Sequence, residues 1–252
     1  MTIMILSINN IHKSFMTGFA QNISKPILQW VSLHIKQWEI YGFLWLNGAG
    51  KTTTLETIMW FLTPDQWTIT FFGKHVLDNT IRKKIGYAPD KTPYFEYLTG
   101  WENVMMIGEY AWVEKKKRET FWLHLFDELG LTYARNNYVQ NYSQGMKQRL
   151  WLILSLINDP DLLLWDEPMS GLDPLGRIVV KNLMKKLKSQ GKTIIFSTHI
   201  LSDVEEIADR FGILSEGKII YEGDMKTITT NLEDFFCEQV TQSTTLQQIK
   251  IK

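Results

Sequence analysis

The chain has 252 residues, and its 27 lysine and arginine side chains balance 27 aspartate and glutamate side chains, so the formal net charge is zero. This balance argues against a nucleic-acid-binding protein, which usually carries a basic excess, and the 44% of hydrophobic residues argues against a disordered chain. The single cysteine, Cys237, excludes an internal disulfide, and there is no Cys/His cluster with the spacing of a zinc site.

The amino terminus, Met1 to Leu6, lacks the basic stretch and apolar segment of a signal peptide. No apolar run approaches the roughly 20 residues that a membrane-spanning helix needs. We therefore expect a cytoplasmic chain that does not itself cross a membrane.

Secondary structure follows from the spacing of apolar residues. Apolar runs bounded by turn residues predict strands at 3–8, 27–35, 39–46, 68–71, 85–88, 162–165, 193–197, 211–215 and 218–221. Three- and four-residue apolar spacing predicts helices at 50–62, 101–112, 115–129, 144–157, 175–189 and 201–209.

The order of these elements predicts an α/β protein with a sheet flanked by helices. The first third is rich in strands and indicates an antiparallel β part, whereas residues from about 90 to 158 are nearly all helical and indicate an inserted helical subdomain. We expect one domain over 1–225. The polar residues 226–252 lack a clear period, so we predict a weakly ordered tail or a short segment that contacts a partner.

A glycine-rich loop follows the predicted strand 39–46 and precedes a helix. Its residues are Asn47, Gly48, Ala49, Gly50, Lys51, Thr52 and Thr53. Glycines let the backbone amides approach phosphate oxygens, and the helix that begins there adds the positive end of its dipole. Lys51 would reach the β- and γ-phosphates, and the Thr52 hydroxyl would bind Mg²⁺. The alternative is an exposed glycine-rich turn without a ligand.

Two carboxylates follow the apolar strand 162–165. A buried parallel strand brings its last residues to the edge where open α/β sheets bind ligands. There Asp166 would hold Mg²⁺, and Glu167 would orient or deprotonate the attacking water. The alternative is an ordinary junction between a strand and a loop.

Three further motifs follow in order along the chain. Ser143 is a natural N-cap for a helix, and Gly145 in the first turn is not explained by capping. Asp173 precedes a helix that starts with a proline, and His199 follows the predicted strand 193–197. A lone histidine in such a place is more often a surface residue than a catalytic one.

Taken in this order, the motifs resemble the nucleotide-binding subunit of ATP-binding cassette (ABC) transporters, over roughly residues 4–223. The resemblance implies a P-loop NTPase core. It also implies that Phe15 stacks on adenine and that Ser143 and Gly145 bind the γ-phosphate of ATP held by the opposite protomer. Asp173 would couple the two sites of the dimer, and His199 would contact the γ-phosphate.

The resemblance further implies the ligands and partners. ATP and Mg²⁺ would be the cofactors, with Thr52, Asp90 and Asp166 around the metal. A second cassette, identical or different, would complete each site. The helical subdomain would dock on a separate membrane permease, which places the protein on the cytoplasmic face of the membrane. The compact size resembles exporters.

The sequence also departs from the family pattern. Trp45 stands where the G-x-x-x-x-G-K-[ST] motif has its first glycine, Asp90 replaces a common glutamine, and Gln144 stands inside the signature loop. At other positions that are usually small, the chain has Trp38, Trp60, Trp67 and Trp151. A large ring in a tight turn typically costs about 1–3 kcal/mol, so we expect strain there.

Two other functions remain open from the sequence. One is a cassette that hydrolyses ATP poorly and has a binding or regulatory role, because Trp45 and Asp90 alter the site. The other is a soluble cassette that acts on DNA or the ribosome, which the neutral charge and the lack of a second cassette argue against.

Overall fold

The computed structural model describes residues 3–17, 23–46, 48–75, 78–90, 95–111 and 115–250. The chain divides into two compact units. The first unit comprises Met1–Leu77 and Ser197–Lys252, and the second comprises Asp78–Phe196.

An antiparallel sheet forms one part of the first unit. Its central strand β1 (Met4–Thr17) lies between β2 (Ile23–Lys36) and β4 (Gln66–Phe71). The predicted antiparallel β part is therefore confirmed. Strand β1 is longer than the predicted 3–8 because its pairing with β2 continues as far as Thr17 opposite Ile23.

The phosphate-loop strand belongs to a second group of strands in the first unit. Strand β3 (Ile40–Trp45) runs parallel to β8 (Arg210–Ser215), which pairs antiparallel with β9 (Lys218–Asp224). Glu216 and Gly217 connect β8 to β9 with φ values of 47° and 76°. Positive φ at two consecutive residues is typical of a tight hairpin turn, and these two residues lie between the predicted strands 211–215 and 218–221.

The helices of the first unit are α1 (Lys51–Ile58), α7 (Leu201–Ile207) and α8 (Leu232–Lys250). The prediction that 226–252 is weakly ordered is wrong for α8. Leu232 is fully buried, and the Phe235 ring packs on Tyr221 of β9 at 4.7 Å between centroids. These contacts join residues distant in sequence, so the local pattern did not reveal them.

The second unit contains β5 (Ile85–Ala88), parallel to its neighbour β6 (Leu162–Asp166), and β7 (Thr193–Thr198), which begins in this unit. Its helices are α2 (Asn79–Arg82), α3 (Gly100–Tyr110), α4 (Lys115–Glu128), α5 (Gln144–Ser155) and α6 (Pro174–Ser189). Helices α3, α4 and α5 occupy the stretch predicted to be helical.

The tryptophans at positions where a small residue was expected lie in several different local environments. Trp38 and Trp60 have left-handed backbones, with φ of 65° and 59°. Trp67 is partly exposed and lies edge-on to Trp60, with 5.0 Å between ring centroids. Trp151 lies in α5, and its indole N–H donates to the carbonyl of Pro89 at 2.9 Å. The expected strain is therefore present at Trp38 and Trp60.

Candidate functional site

The predicted phosphate loop forms a cavity at the end of β3. The cavity has a volume of about 380 Å³ and is lined by Ile27, Trp45, Gly48, Ala49, Gly50, Lys51, Thr52 and Thr53. The structure thus brings together every predicted loop residue except Asn47, which lies outside the described residues. Ile27 of β2 is a wall of the cavity that sequence reasoning missed, because it is distant along the chain.

The loop backbone requires glycine at two positions. Gly48 and Gly50 have φ of 76° and 97°, a region that other residues rarely adopt. A Cβ on Gly50 would also come within 2.9 Å of Leu28 Cδ2. The backbone therefore passes so close to β2 that only glycine fits at position 50.

Helix α1 begins directly after Gly50. Among the described residues no side-chain hydrogen bond caps its first turn, and the first helical amide bonded back to the loop is that of Thr54, which donates to the Gly50 carbonyl at 2.8 Å. Amides in the first turn of such a helix point to its N-terminal end and carry partial positive charge. The turn also contains the buried Lys51. This arrangement is suited to bind a phosphate.

The loop is also fixed from the β8–β9 turn. The Gly217 amide donates to the Ala49 carbonyl at 2.9 Å, and the Ala49 amide donates to the Leu46 carbonyl at the same distance. A Cβ on Gly217 would lie 2.2 Å from the Ile27 carbonyl oxygen. The sequence identifies Gly217 as a turn residue, but only the fold reveals that it supports the phosphate loop.

The Trp45 ring lies over the lysine of the loop. Lys51 Nζ is 4.3 Å from the Trp45 ring centroid, within the range of a cation–π contact. The ring also lies edge-on to His199, with 6.0 Å between centroids. The indole nitrogen of Trp45 is buried and has no hydrogen-bond partner within the described part of the chain. A buried donor without an acceptor typically costs about 1–3 kcal/mol.

The two predicted carboxylates lie at the end of β6, and both are buried. Asp166 ends the strand, and Glu167 follows with φ of 51°. A non-glycine residue in this region stores backbone strain, which persists only where the surroundings impose it and which is common at active sites. The strained backbone of Glu167 therefore marks a site candidate.

Helix α5 holds the backbone of Glu167. Buried Gln148 donates its side-chain amide to the Glu167 carbonyl at 3.2 Å, and the Ser170 amide donates to the same oxygen at 3.0 Å. Sequence reasoning missed Gln148. The burial of its side chain depends on packing that no local pattern reveals.

The helix that carries Gln148 begins as predicted. The Ser143 hydroxyl accepts a hydrogen bond from the Met146 amide at 3.2 Å and so caps α5. Just before it, the Tyr142 hydroxyl donates to the Ala134 carbonyl at 2.8 Å, and burial raises the pKa of Tyr142 to about 12. Gly145 in the first turn has room for a Cβ, whose nearest neighbour would be Leu172 Cδ2 at 3.4 Å. Packing within the chain therefore does not explain this glycine.

Asp173 has a structural role that the structure shows directly. Its carboxylate accepts a hydrogen bond from the Gly176 amide at 2.7 Å and caps α6, whose first residue is Pro174. A carboxylate at this position also stabilises the positive end of the helix dipole. Coupling of two sites through Asp173 stays a prediction.

The remaining predicted residues are exposed in their units. Phe15 lies on β1, with Lys13 Nζ 5.5 Å from its ring centroid. His199 follows β7 in the first unit, and Asp90 follows Pro89 in the second. The phosphate loop, Phe15 and His199 belong to the first unit, whereas Asp90, Ser143, Gly145, Asp166, Glu167 and Asp173 belong to the second.

The donor atoms present suit magnesium. Mg²⁺ prefers hard oxygen ligands, one or two from carboxylates or hydroxyls and the others from water and substrate phosphates. Thr52, at the start of α1 in the loop cavity, offers a hydroxyl, and Asp166 offers a carboxylate at the end of a buried strand. Each of these residues, taken within its own unit, therefore offers an oxygen ligand of the type that magnesium accepts.

Comparison with known proteins identifies similar chains. A family model described as ABC transporter matches residues 28–170. The chain is 38% identical over 227 residues to an ABC transporter ATP-binding protein of Synechocystis, which covers 89% of this chain and 64% of the relative. It is 35% identical over 236 residues to the lantibiotic transport ATP-binding protein SrtF of Streptococcus pyogenes, covering 94% of this chain and 97% of that protein.

A solved structure shares the fold. The ATP-binding subunit of an ABC transporter superposes with a TM-score of 0.83 at 26% sequence identity, covering 94% of this chain and 99% of the other. The expected P-loop NTPase fold is thereby confirmed. In the described part of the chain, no helix is both long and apolar enough to span a membrane.

Proposed function

This chain belongs to the ABC transporter family, and on that premise we propose that it binds and hydrolyses MgATP as the ATP-binding subunit of a transporter. One observation carries this proposal. The loop after β3 combines left-handed Gly48 and Gly50, the first turn of α1 and buried Lys51 around one cavity. Several backbone amides and a cation around one cavity suit a polyphosphate.

Each predicted residue has a role in this proposal. Lys51 binds the β- and γ-phosphates, Thr52 and Asp166 hold Mg²⁺, and Asp90 contacts the metal through water. When bound, the metal neutralises charge that develops on the phosphates. Glu167 orients the attacking water and accepts its proton, and its carboxylate lies on a backbone held by the Gln148 amide.

A second cassette completes the site in this proposal. Ser143 and Gly145 of one chain would bind the γ-phosphate held at Lys51 of another, and His199 and Asp173 would sense it and relay the change. The free space at Gly145 supports this role, since an approaching phosphate explains the glycine where packing does not. Because ATP contacts both chains only when they are closed together, binding favours the closed dimer.

The partner in the membrane is a separate permease in this proposal. The helical stretch 90–158 would dock on it, so the protein acts on the cytoplasmic face of a membrane. The similarity to SrtF, named for lantibiotic transport, supports a role in transport, and the compact size of the chain leads us to propose export. The permease, not this chain, would select the cargo.

The proposal is tested by steady-state hydrolysis of MgATP. Glu167→Gln keeps the shape of the side chain but removes the base, so we expect turnover to fall by about 10²–10⁴-fold while nucleotide binding persists. Glu205→Gln, on α7 of the first unit, is the control for loss of a carboxylate. Equal turnover in Glu167→Gln and the unmodified chain would remove Glu167 from this role.

A further inference from the structure

Three tryptophans have a backbone conformation that suits glycine. Trp30, Trp38 and Trp60 have φ of 60°, 65° and 59°. In this region the Cβ of an L-residue approaches the following carbonyl oxygen, and a bulky side chain there is a genuine outlier. Glycine has no Cβ and adopts the same conformation without strain.

Trp60 occupies the glycine position of a helix-ending motif. Helix α1 ends at Ile58, Met59 is its C-cap, and Trp60 follows in the left-handed conformation. The Trp60 amide donates to the Thr57 carbonyl at 3.1 Å, and the Phe61 amide donates to the Glu56 carbonyl at 2.8 Å. This pair of bonds defines a Schellman motif, whose left-handed residue is usually glycine.

Trp30 and Trp38 lie at two other places where glycine is typical. Gln29 and Trp30 of β2 stand opposite the single residue His12 of β1, so that they form a β-bulge. Left-handed residues in bulges are usually glycine. Trp38 lies in the tight turn that joins β2 to β3. A left-handed turn residue is again typically glycine.

The rings of these three tryptophans are largely exposed, so burial gives them little stabilisation to offset the backbone strain. The exposed fractions of Trp30, Trp38 and Trp60 are 56%, 63% and 36%. Trp122 and Trp165, in contrast to these three residues, are fully buried. The indole N–H of Trp122 donates to the Ile157 carbonyl, and that of Trp165 donates to Ser155 Oγ. These two sites are built for tryptophan.

Trp45 is a fourth tryptophan at a glycine position, and the evidence for it does not depend on a backbone dihedral angle. It stands at the first glycine position of the phosphate-loop motif. Its ring covers the ammonium group of Lys51 at 4.3 Å, and its own buried N–H has no acceptor among the described residues. A ring over the lysine competes with phosphate for the charge that is needed to bind it.

We propose that positions 30, 38, 45 and 60 are occupied by glycine in the working protein, because the cells that make it read one codon at these positions as glycine. A single codon explains why the same residue type recurs at four sites whose geometry suits glycine. It also explains why Trp122 and Trp165 are well fitted, since a different codon would specify them. The consequence for nucleotide binding at position 45 rests on the proposed function.

Mass spectrometry of the protein purified from its own cells tests the assignment. The tryptic peptide 37–51 contains positions 38 and 45, and the peptide 119–135 contains Trp122 as an internal control. We expect glycine at both positions of the first peptide and tryptophan in the second. Tryptophan at 38 or at 45, or glycine at 122, would overturn the proposal.

Recombinant variants test the same assignment through folding. The triple variant W30G/W38G/W60G removes three left-handed side chains, so we expect a higher urea midpoint and at least about a tenfold smaller unfolding equilibrium constant. W122G empties a buried site and should lower the midpoint. A triple variant that is no more stable than the unmodified chain would contradict the proposal.

The variant W45G separates this inference from the proposed function. With Lys51 uncovered, we expect MgATP to bind at least about tenfold more tightly, since a desolvated cation–π contact of this kind is worth roughly a tenfold change. Glycine in the native peptide and a stabilised triple variant, but no gain of affinity in W45G, would support the glycine assignment and count against the proposed ATP site. Tryptophan in the native peptide would overturn the assignment whatever the affinity.

Discussion

The side-chain amide of Gln148 and the backbone carbonyl of Glu167 are joined by a hydrogen bond of 3.2 Å. Gln148 lies on α5, the helix that Ser143 caps, and Glu167 has a left-handed backbone immediately after β6. This bond fixes the strained residue from a second element of the same unit. We infer that Gln148 is a positioning residue for the Glu167 carboxylate.

Replacing Gln148 with leucine should impair hydrolysis more than binding. The Glu167 carbonyl keeps the Ser170 amide but loses its other donor, a loss of about 1–2 kcal/mol, which corresponds to about 5- to 30-fold in turnover if it acts on the transition state. Nucleotide affinity should change by less than about threefold. Steady-state kinetics and an equilibrium titration measure the two effects.

Gln140→Leu is the matched control, because Gln140 is an exposed glutamine of the same unit. It should leave turnover unchanged. If Gln148→Leu lowered affinity as much as turnover, Gln148 would not act through Glu167.

A Gly145→Ala variant should fold normally and lose activity. Its Cβ would make only ordinary contacts, 3.4 Å to Leu172 Cδ2 and 3.5 Å to the Gly171 carbonyl oxygen. We therefore expect the free energy of unfolding to change by less than about 0.5 kcal/mol. If a phosphate from another chain approaches this turn, hydrolysis should fall by about tenfold or more.

Gly100→Ala is the control, because this variant should lose stability where Gly145→Ala should keep it. A Cβ there would lie 2.2 Å from the Tyr142 hydroxyl oxygen, which is already bonded to the Ala134 carbonyl. Overpacking of this kind should destabilise the fold by about 1–3 kcal/mol. Loss of stability in Gly145→Ala comparable to that in Gly100→Ala would show that Gly145 serves packing.

An ion-pair network on β8 and β9 should be important for stability. Arg210 donates to Glu39 at 3.1 Å, to Glu222 at 2.8 Å and to the His34 carbonyl at 2.8 Å. Burial raises the pKa of Glu39, although the Lys36 amide and Arg210 oppose the rise. Arg210→Met removes the guanidinium group that is bonded to this buried carboxylate, so we expect a loss of about 3 kcal/mol near pH 8.

The loss should depend on pH in a definite direction. Without Arg210, the folded state binds a proton at Glu39 more readily than the unfolded state does. The loss of unfolding free energy in Arg210→Met, called the deficit below, is therefore complete above the raised pKa of Glu39 in the folded state. It shrinks as the pH falls through that pKa, because the carboxyl group becomes neutral. Urea unfolding at pH 8 and pH 5 measures the difference. The double variant Arg210→Met/Glu39→Gln should show a smaller deficit at pH 8, and a deficit in Arg210→Met that is equal at both pH values would contradict this account.

Local patterns predicted much of the fold. Ser143 and Asp173 cap helices because a short polar side chain can bond the free amides of a first turn, and this depends only on neighbouring residues. The Glu216-Gly217 hairpin and the helix start after Gly50 follow from local chemistry in the same way.

What the sequence did not reveal depends on contacts between distant segments. The docking of Phe235 on Tyr221 determines that α8 is ordered, and the bond from Gln148 to Glu167 joins residues on separate elements. The bulge at Trp30 depends on the register of β1 against β2. The spacing of apolar residues within one segment carries no information about these long-range contacts.

The central claim is that phosphate binds at Lys51, and an equilibrium titration with MgATP tests it most directly. Lys51→Ala is compared with the unmodified chain, and the comparison is repeated in the Trp45→Gly background, where the lysine is uncovered. We predict that Lys51→Ala weakens binding by at least about 30-fold in the Trp45→Gly background, since loss of one partner of a buried charge pair costs about 2–5 kcal/mol. Equal affinity with and without Lys51 in both backgrounds, for variants with unchanged unfolding midpoints, would contradict it.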